Sequence, residues 1–466
     1  MPESRLPRFV RESRLAMDYL QLFGSLDWHG FPDRPDQRFY PDCPPLSYAS
    51  FVAAYLIKLD QGIGSLGGLR QYLVHHPALP WILGFPLVDS SAFSWGFDAD
   101  ASLPNHRHFC RLLNALPNAS LQFLLGDTIR LLREVLRDVA PDLGDCVAVD
   151  TKNVIAWVAE NNQKAYVKDR YDKTKQPKGD PDCRLGCKRK TNQVKGRVVQ
   201  GVESLPTPTA NPVPAKQLAV GEYYWGYGSG VVATKVPGWG ELVLAELTQP
   251  FDCGDVSYFT PLMAQVERRL GRRPRFGALD AAYDAFYIYE YFDEAGGFAA
   301  VPFVDKGGRG KRAFDEHGAP LCAAALPMTL RYTFESRKAL IPHQENRYGC
   351  PLLHPEPTGA SCPVEHKNWA KGGCTTTLAA SKGARLRHLI DRESEEYKEV
   401  YKQRTAVERI NSQAVDLGIE RPKLRNGLSI ANHNTLIYVL INLHALKRIR
   451  QRLAKRSVVG SEPERA

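Results

Sequence analysis

The sequence predicts an α/β protein: a mixed β-sheet flanked by helices, with a helical region before it and an irregular, β-rich insertion near its end. Three observations carry that expectation. Up to about residue 140, segments such as SYASFVAAYLIKLDQ, FCRLLNALP and SLQFLLGDTIRLLREVLRDV repeat apolar residues every three or four positions, the period of a helix with one buried face. From Asp145 the pattern changes to short β-rich runs, two of which, CVAVD and RPRFGALD, end on an aspartate. Amphipathic helical segments then alternate with such runs, as a sheet covered by helices requires.

Taken in order, residues 1–140 form a helical N-terminal domain punctuated by Pro and Gly. CVAVD is the first strand of the core and ends at Asp150. The polar stretch NNQKAYVKDRYDKTKQPKGDPDCRLGCKRKTNQ, rich in lysine and turn formers, reads as a loop or ribbon. YYWGYGSGVVAT and ELVLAELT are two further strands, VSYFTPLMAQVERRLG an amphipathic helix, and RPRFGALD a fourth strand ending at Asp280. AYDAFYIYEYFDEAG then reads as a helix and FAAVPFV as a fifth strand. The order β-β-β-α-β-α-β, with an acid closing the first and fourth strands, is that of a ribonuclease H-like core, whose neighbouring strands deliver both carboxylates to one spot. The first part of this core covers 141–304. An insertion containing Gly, Pro, Cys and His occupies 305–390. The core resumes over 391–446 with the long helical stretch RESEEYKEVYKQRTAVERINSQAVD and a last helix, and 447–466 is a basic tail.

The bulk composition narrows the function. With 466 residues, 43% of them hydrophobic, the chain can bury more than one core. No run of eighteen apolar residues offers a membrane span, and MPESRLPRFVRESRLAMDYL lacks the uninterrupted apolar stretch of a signal peptide, so a cytoplasmic, nucleoid-associated protein is expected. Ten cysteines without an export signal do not read as a disulfide framework. The formal charge is +10 and the pI about 9.0, which suits a polyanionic partner. Twelve Lys/Arg against four Asp lie between Lys164 and Arg197, and six basic residues without an acid lie between Lys447 and Arg456. These stretches are either solvated surfaces or two phosphate contacts.

Asp150 and Asp280 each end a buried-looking strand, where an acid is costly unless it binds something. The bland alternative for each is the cap of a following turn. Tyr401, Arg404 and Glu408 fall on one helical face beside an apolar stripe of Val400, Val407, Ile410 and Ala414. For Glu408 the bland alternative is a solvated charge paired with Arg404. Converging acids on rigid elements are what Mg²⁺ or Mn²⁺ needs from a protein, since hard cations take oxygen ligands. Two such ions, about 4 Å apart, activate the attacking oxygen and stabilise the leaving oxygen in phosphodiester chemistry.

Over about 140–445 the chain resembles the DDE transposases of bacterial insertion sequences. Tyr401, Arg404 and Glu408, within YKQRTAVERINS, look like their Y-x₂-R-x₃-E signature. DAAYD, from Asp280 to Asp284, is similar to their second-Asp motif, VAVDTK to the first-Asp strand, and WGYGSGVVAT with LVLAELTQPFDCGDV to the two strands that follow. The resemblance implies Mg²⁺ or Mn²⁺ held by Asp150, Asp280 and Glu408, a DNA phosphate contacted by Tyr401 and Arg404, element ends bound by the N-terminal region, and a homodimer on DNA. It also implies cleavage by water followed by attack of a DNA 3′-hydroxyl on target DNA, without a covalent protein–DNA intermediate. A catalytically inactive DNA-binding relative and a metal-dependent nuclease of the same fold are the alternatives. The chain departs from the pattern in three places. Val415 stands where a basic residue often follows the Glu, with Lys423 or Arg425 as candidate substitutes. Ala282 replaces a Gly, and Gly228 replaces a Lys.

The insertion contains CPLLHPEPTGASCPVEHKNWAKGGC, in which Cys350, Cys362, His366 and Cys374 are candidate ligands of a structural Zn²⁺, with His354 as a competitor. A Gly/Pro-rich loop with reduced thiols is the alternative. Cys183 and Cys187 read as ordinary surface cysteines.

Overall fold

The computed structural model describes residues 3–34, 46–189, 221–305 and 310–459. Its centre is a six-stranded mixed sheet. The strands are β1 (Cys146–Ile155), β2 (Arg184–Arg189), β3 (Gly221–Val236), β4 (Gly240–Pro250), β5 (Phe276–Leu279) and β6 (Phe298–Ala300). They run in the order β2-β3-β1-β5-β6, and β4 also pairs with β3. The pairs β1–β3, β2–β3 and β3–β4 are antiparallel, whereas β1–β5 and β5–β6 are parallel. Parallel neighbours need a crossover connection. Helix α2 (Val256–Leu270) lies on the long return from β1 to β5, after β4, and α3 (Phe286–Asp293) crosses between β5 and β6.

The middle strands follow from their sequence. Val147, Ala148 and Val149 of β1, and Ala278 and Leu279 of β5, are fully buried or nearly so, as expected of strands covered on both faces. Helix α1 (Asn118–Val135) and the 33-residue α7 (Gly427–Val459) cover β4. The run Leu436–Ile441 of α7 is buried on every face of the helix, because N-terminal helices close over its other side. Buried polar groups stitch these layers together. Asn432 donates to the Leu113 and Leu116 carbonyls, and Asn442 donates to the Val243 carbonyl while accepting from its N–H. The hydrophobic core runs without a break from Leu6 in the N-terminal helices through the sheet to Ile449.

The structure corrects three sequence expectations. The helix expected across 392–416 is two helices, α5 (Glu395–Lys402) and α6 (Thr405–Asp416). Between them the chain tightens into i→i+3 bonds, Arg404 N–H to the Tyr401 carbonyl and Ala406 N–H to that of Gln403, while the Thr405 hydroxyl takes the Lys402 carbonyl. Only Phe298–Ala300 of FAAVPFV pairs as a strand; Pro302 has no N–H to extend the ladder. Cys183 is fully buried, with its thiol donating to the Asp180 carbonyl at 3.3 Å; Cys187 is exposed, as expected. The polar stretch after β1 contributes β2, so part of it is a ribbon. Its residues 190–220 lie outside the described residues, as do 460–466 of the basic tail.

The insertion holds a three-stranded antiparallel sheet, with β8 (His343–Gly349) between β7 (Thr329–Ser336) and β9 (Thr375–Ala379). Helix α4 (Gly383–Leu389) returns the chain to the core. Its anchor is Arg387, whose guanidinium donates from Nε and Nη2 to the two oxygens of buried Asp284 at 2.7 and 2.6 Å. Asp284 also accepts from the Tyr289 hydroxyl and the Val304 N–H. The second acid of DAAYD is thus a structural anchor. No helix among the described residues is long and apolar enough to cross a membrane.

Candidate active site

Asp150 and Asp280 are neighbours. The parallel register pairs Val149 with Leu279, so the two aspartates directly follow a matched pair of residues on neighbouring strands. Asp150 remains in β1, and its Oδ1 accepts from the Thr151 N–H at 2.9 Å. Asp280 leaves β5 and caps a short 3₁₀ turn, accepting from the Ala282 N–H at 2.8 Å. The bland expectation for Asp280, a turn cap, is met, and the same side chain lies near Asp150. Ala282 has no left-handed backbone, so losing the Gly of the related motif costs nothing there.

A third acid joins them that the sequence did not suggest. Asp255, in the connection leading into α2, is close enough to Asp280 to raise its own carboxyl above the usual range, second to the effect of burial, while the Thr151 hydroxyl acts in the opposite direction. Asp150 is pushed up to about 6. Burial is the main cause, the Thr151 N–H opposes it, Asp280 and Asp255 add to it, and Arg404 counteracts it. Tyr283, buried beside this group, brings its hydroxyl within 3.2 Å of Thr151 Oγ1.

Helix α6 brings the remaining groups. Asn411 donates from Nδ2 to Asp150 Oδ2 at 3.0 Å, and its buried Oδ1 has no hydrogen-bond partner. Glu408, one turn earlier, lines the same cleft as Asp150 and Asn411, with Lys152, Glu420 and Arg421. Asp280 is not part of that lining. Glu408 itself is paired with Arg404, so its carboxylate is turned to that guanidinium. Tyr401 stacks on Tyr397 with ring centroids 5.9 Å apart. Sequence reasoning missed Asn411 and Asp255. The first lies one helical turn after Glu408 and the second just before α2, but nothing local marks either as a partner of Asp150.

The departures from the transposase pattern also have local causes. A side chain at Gly228 would start 2.5 Å from the Tyr258 hydroxyl, which donates to the Gly228 carbonyl, so a lysine has no room there. Val415 lines the cleft and packs against the core. Lys423 sits 5.7 Å over the Trp157 ring, beyond the end of β1.

The donor set around Asp150 is all oxygen, carries surplus negative charge and includes an orphaned amide oxygen, which fits a hard divalent cation. Among the described residues, no group of three or more His, Cys, Asp or Glu side chains is gathered at metal-binding spacing. Comparison of the sequence with protein-family profiles and with curated proteins returned no match.

Proposed function

We propose that this chain is a DNA transposase of the three-carboxylate class, cleaving the ends of its element and joining them to target DNA. The observation that carries the proposal is the adjacent Asp150–Asp280 pair, with the Glu408 helix tied to it through Asn411. Support for a ribonuclease H-like core comes from the strand order, antiparallel strands on one side of β1 and two parallel ones on the other. Asp150, Asp280 and Glu408 would hold Mg²⁺ or Mn²⁺. Bound there, such ions would supply activation of the attacking oxygen and stabilisation of the oxygen that leaves phosphorus.

The chain's own groups do the rest. Asn411 fixes the orientation of Asp150, and Thr151 reaches Asp255 and Tyr283, so the acids are held from both sides of the strand. Released from Glu408, Arg404 would be available to a DNA phosphate, which its planar fork could hold bidentately. Tyr401 belongs to the same contact. Exposed Lys164, Lys168, Lys173 and Lys178, with exposed Tyr166 and Tyr171 among them, give a surface suited to backbone contact and base stacking. The N-terminal helices would bind the element ends, in a homodimer on DNA.

Labelled duplexes drawn from both flanks of the coding sequence, mixed with the protein and Mg²⁺, should be nicked and then joined to a target plasmid. Asp150→Asn should remove both products while its circular dichroism stays unchanged. Cleavage that persists in that variant contradicts the proposal. Nicking without strand transfer would replace transposase with nuclease.

A further inference from the structure

The insertion between β6 and α5 lacks the core that would hold it together. Of residues 310–382, only Met328 and Cys350 are buried hydrophobic residues, and Leu330, Tyr332 and Phe334 of β7 are exposed. A unit of this size with so little buried apolar surface needs a cross-link or a metal to fix its loops. Four cysteines converge where that staple is needed. Cys322, Cys350, Cys362 and Cys374 line one cavity of about 10 Å³, with His366 at its wall. That is room for about one water-sized particle. None of the four is disulfide-bonded.

The backbone is shaped to present these thiols. Cys322, Cys350 and Cys362 each open a tight turn, their carbonyls accepting from the N–H groups of Ala325, Leu353 and Glu365. Pro351 and Pro363, directly after two of them, fix the φ such turns need. Ala325 and Glu365 adopt left-handed φ values of 56° and 44°. The fourth thiol arrives through glycine: a Cβ at Gly373 would stand 2.6 Å from Cys350 Cβ, and the residue has φ 80°. Only glycine lets the chain pass Cys350 and place Cys374 beside it.

His366 is turned to other work. Its Nδ1 accepts from the Asn368 N–H at 3.2 Å. A neutral imidazole that accepts at Nδ1 carries its proton on Nε2, and then neither nitrogen has a lone pair to give a metal. Cys322, far from the CPLLH…C cluster in sequence, takes the place that spacing alone assigns to His366.

We propose that the insertion binds one structural Zn²⁺ through Cys322, Cys350, Cys362 and Cys374, with His366 outside the coordination sphere. Among the described residues the thiols are not yet gathered at ligand spacing; rotation of the side chains on zinc uptake would bring them to ligand distance, about 2.3 Å, with their protons released to solvent. The site is independent of the carboxylate chemistry proposed for the core.

The test is metal analysis of the full chain purified under reducing conditions without chelator, with Cys322→Ser and His366→Ala in parallel. One zinc per chain is expected in the wild type and in His366→Ala. Cys322→Ser should lose it, or lose at least tenfold in affinity against a competing chelator. Co²⁺ exchanged into the wild type should give the absorption of a four-thiolate tetrahedral site, a readout that does not depend on the variant folding. A three-thiolate, one-imidazole spectrum, or zinc lost from His366→Ala and kept by Cys322→Ser, overturns the ligand set. Protein that takes up no zinc, or whose four thiols are oxidised in pairs by mass spectrometry, overturns the site.

Discussion

Asp150 is held in a conflict that its surroundings create. It sits largely out of water beside two other acids, and burial first, then those acids, push its carboxyl up to about 6 from the ordinary 3.8. A folded-state value above the unfolded one means that the folded chain holds the proton more tightly between about pH 4 and 6. Stability in the absence of metal is therefore greatest below the unfolded value and falls as pH rises through 6. The full loss is up to about 3 kcal/mol, less whatever solvent screening the carboxylate retains. Asp150→Asn should accordingly raise the melting temperature of chelator-treated protein at pH 7.5, with the gain vanishing near pH 4, as measured by calorimetry. DNA cleavage should fall in the other direction, declining as pH drops through about 6 because a protonated carboxyl does not bind a cation. At Gly228, replacement by Ala should cost about 1–3 kcal/mol in urea unfolding, since the new methyl meets the Tyr258 hydroxyl. Asp150 and Asp280 were legible because each ends an apolar run, where an acid is conspicuous. Asp255 and Asn411 were not, because what makes them part of the site is the packing of α2 on β3 and β4 and of α6 on β1, β3 and β4, which no local pattern encodes.

The helix that carries Glu408 is seated by buried Ala406, Val407, Ile410 and Ala414, and not by the ion pair that Glu408 makes. Glu408 is exposed and paired only with Arg404, an i,i+4 surface pair of small worth. Glu408→Gln should leave the unfolding midpoint within about 0.5 kcal/mol of wild type and still abolish metal-dependent cleavage. Arg387 is the opposite case, because its partner Asp284 has a side chain only 1% exposed. Arg387→Ala strands that carboxylate and should cost about 3–5 kcal/mol. Limited proteolysis should then cut first near α4. The helical period across 395–416 hid the break at Gln403 and Arg404, since no Gly or Pro marks it and the apolar spacing continues through it. The thiols of the insertion were visible as a cluster in sequence, but Cys322 was not assigned to them, since the turn that brings it back is a tertiary event.

At the scale of the molecule, the order of strands and helices along the chain was readable because the acids, the strand runs and the amphipathic helices alternate regularly. The burial of α7 was less so: its continuous apolar run says that it is covered on all sides and not by what. Its partners are β4 and the N-terminal helices, so the helical region and the sheet share one core. Electrostatics acts at this scale too. With a charge of +10, DNA affinity should fall steeply with salt, and replacing Lys164, Lys168, Lys173 and Lys178 by Gln should flatten the log–log slope by up to about four. The central claim is that Asp150, Asp280 and Glu408 make one cation pocket. Its most direct measurement is anomalous scattering from Mn²⁺ soaked into crystals of the protein with bound DNA. The expected result is manganese between Asp150 and Asp280, with Glu408 swung off Arg404 toward it. Manganese bound elsewhere, with the two aspartates bare, would contradict the account.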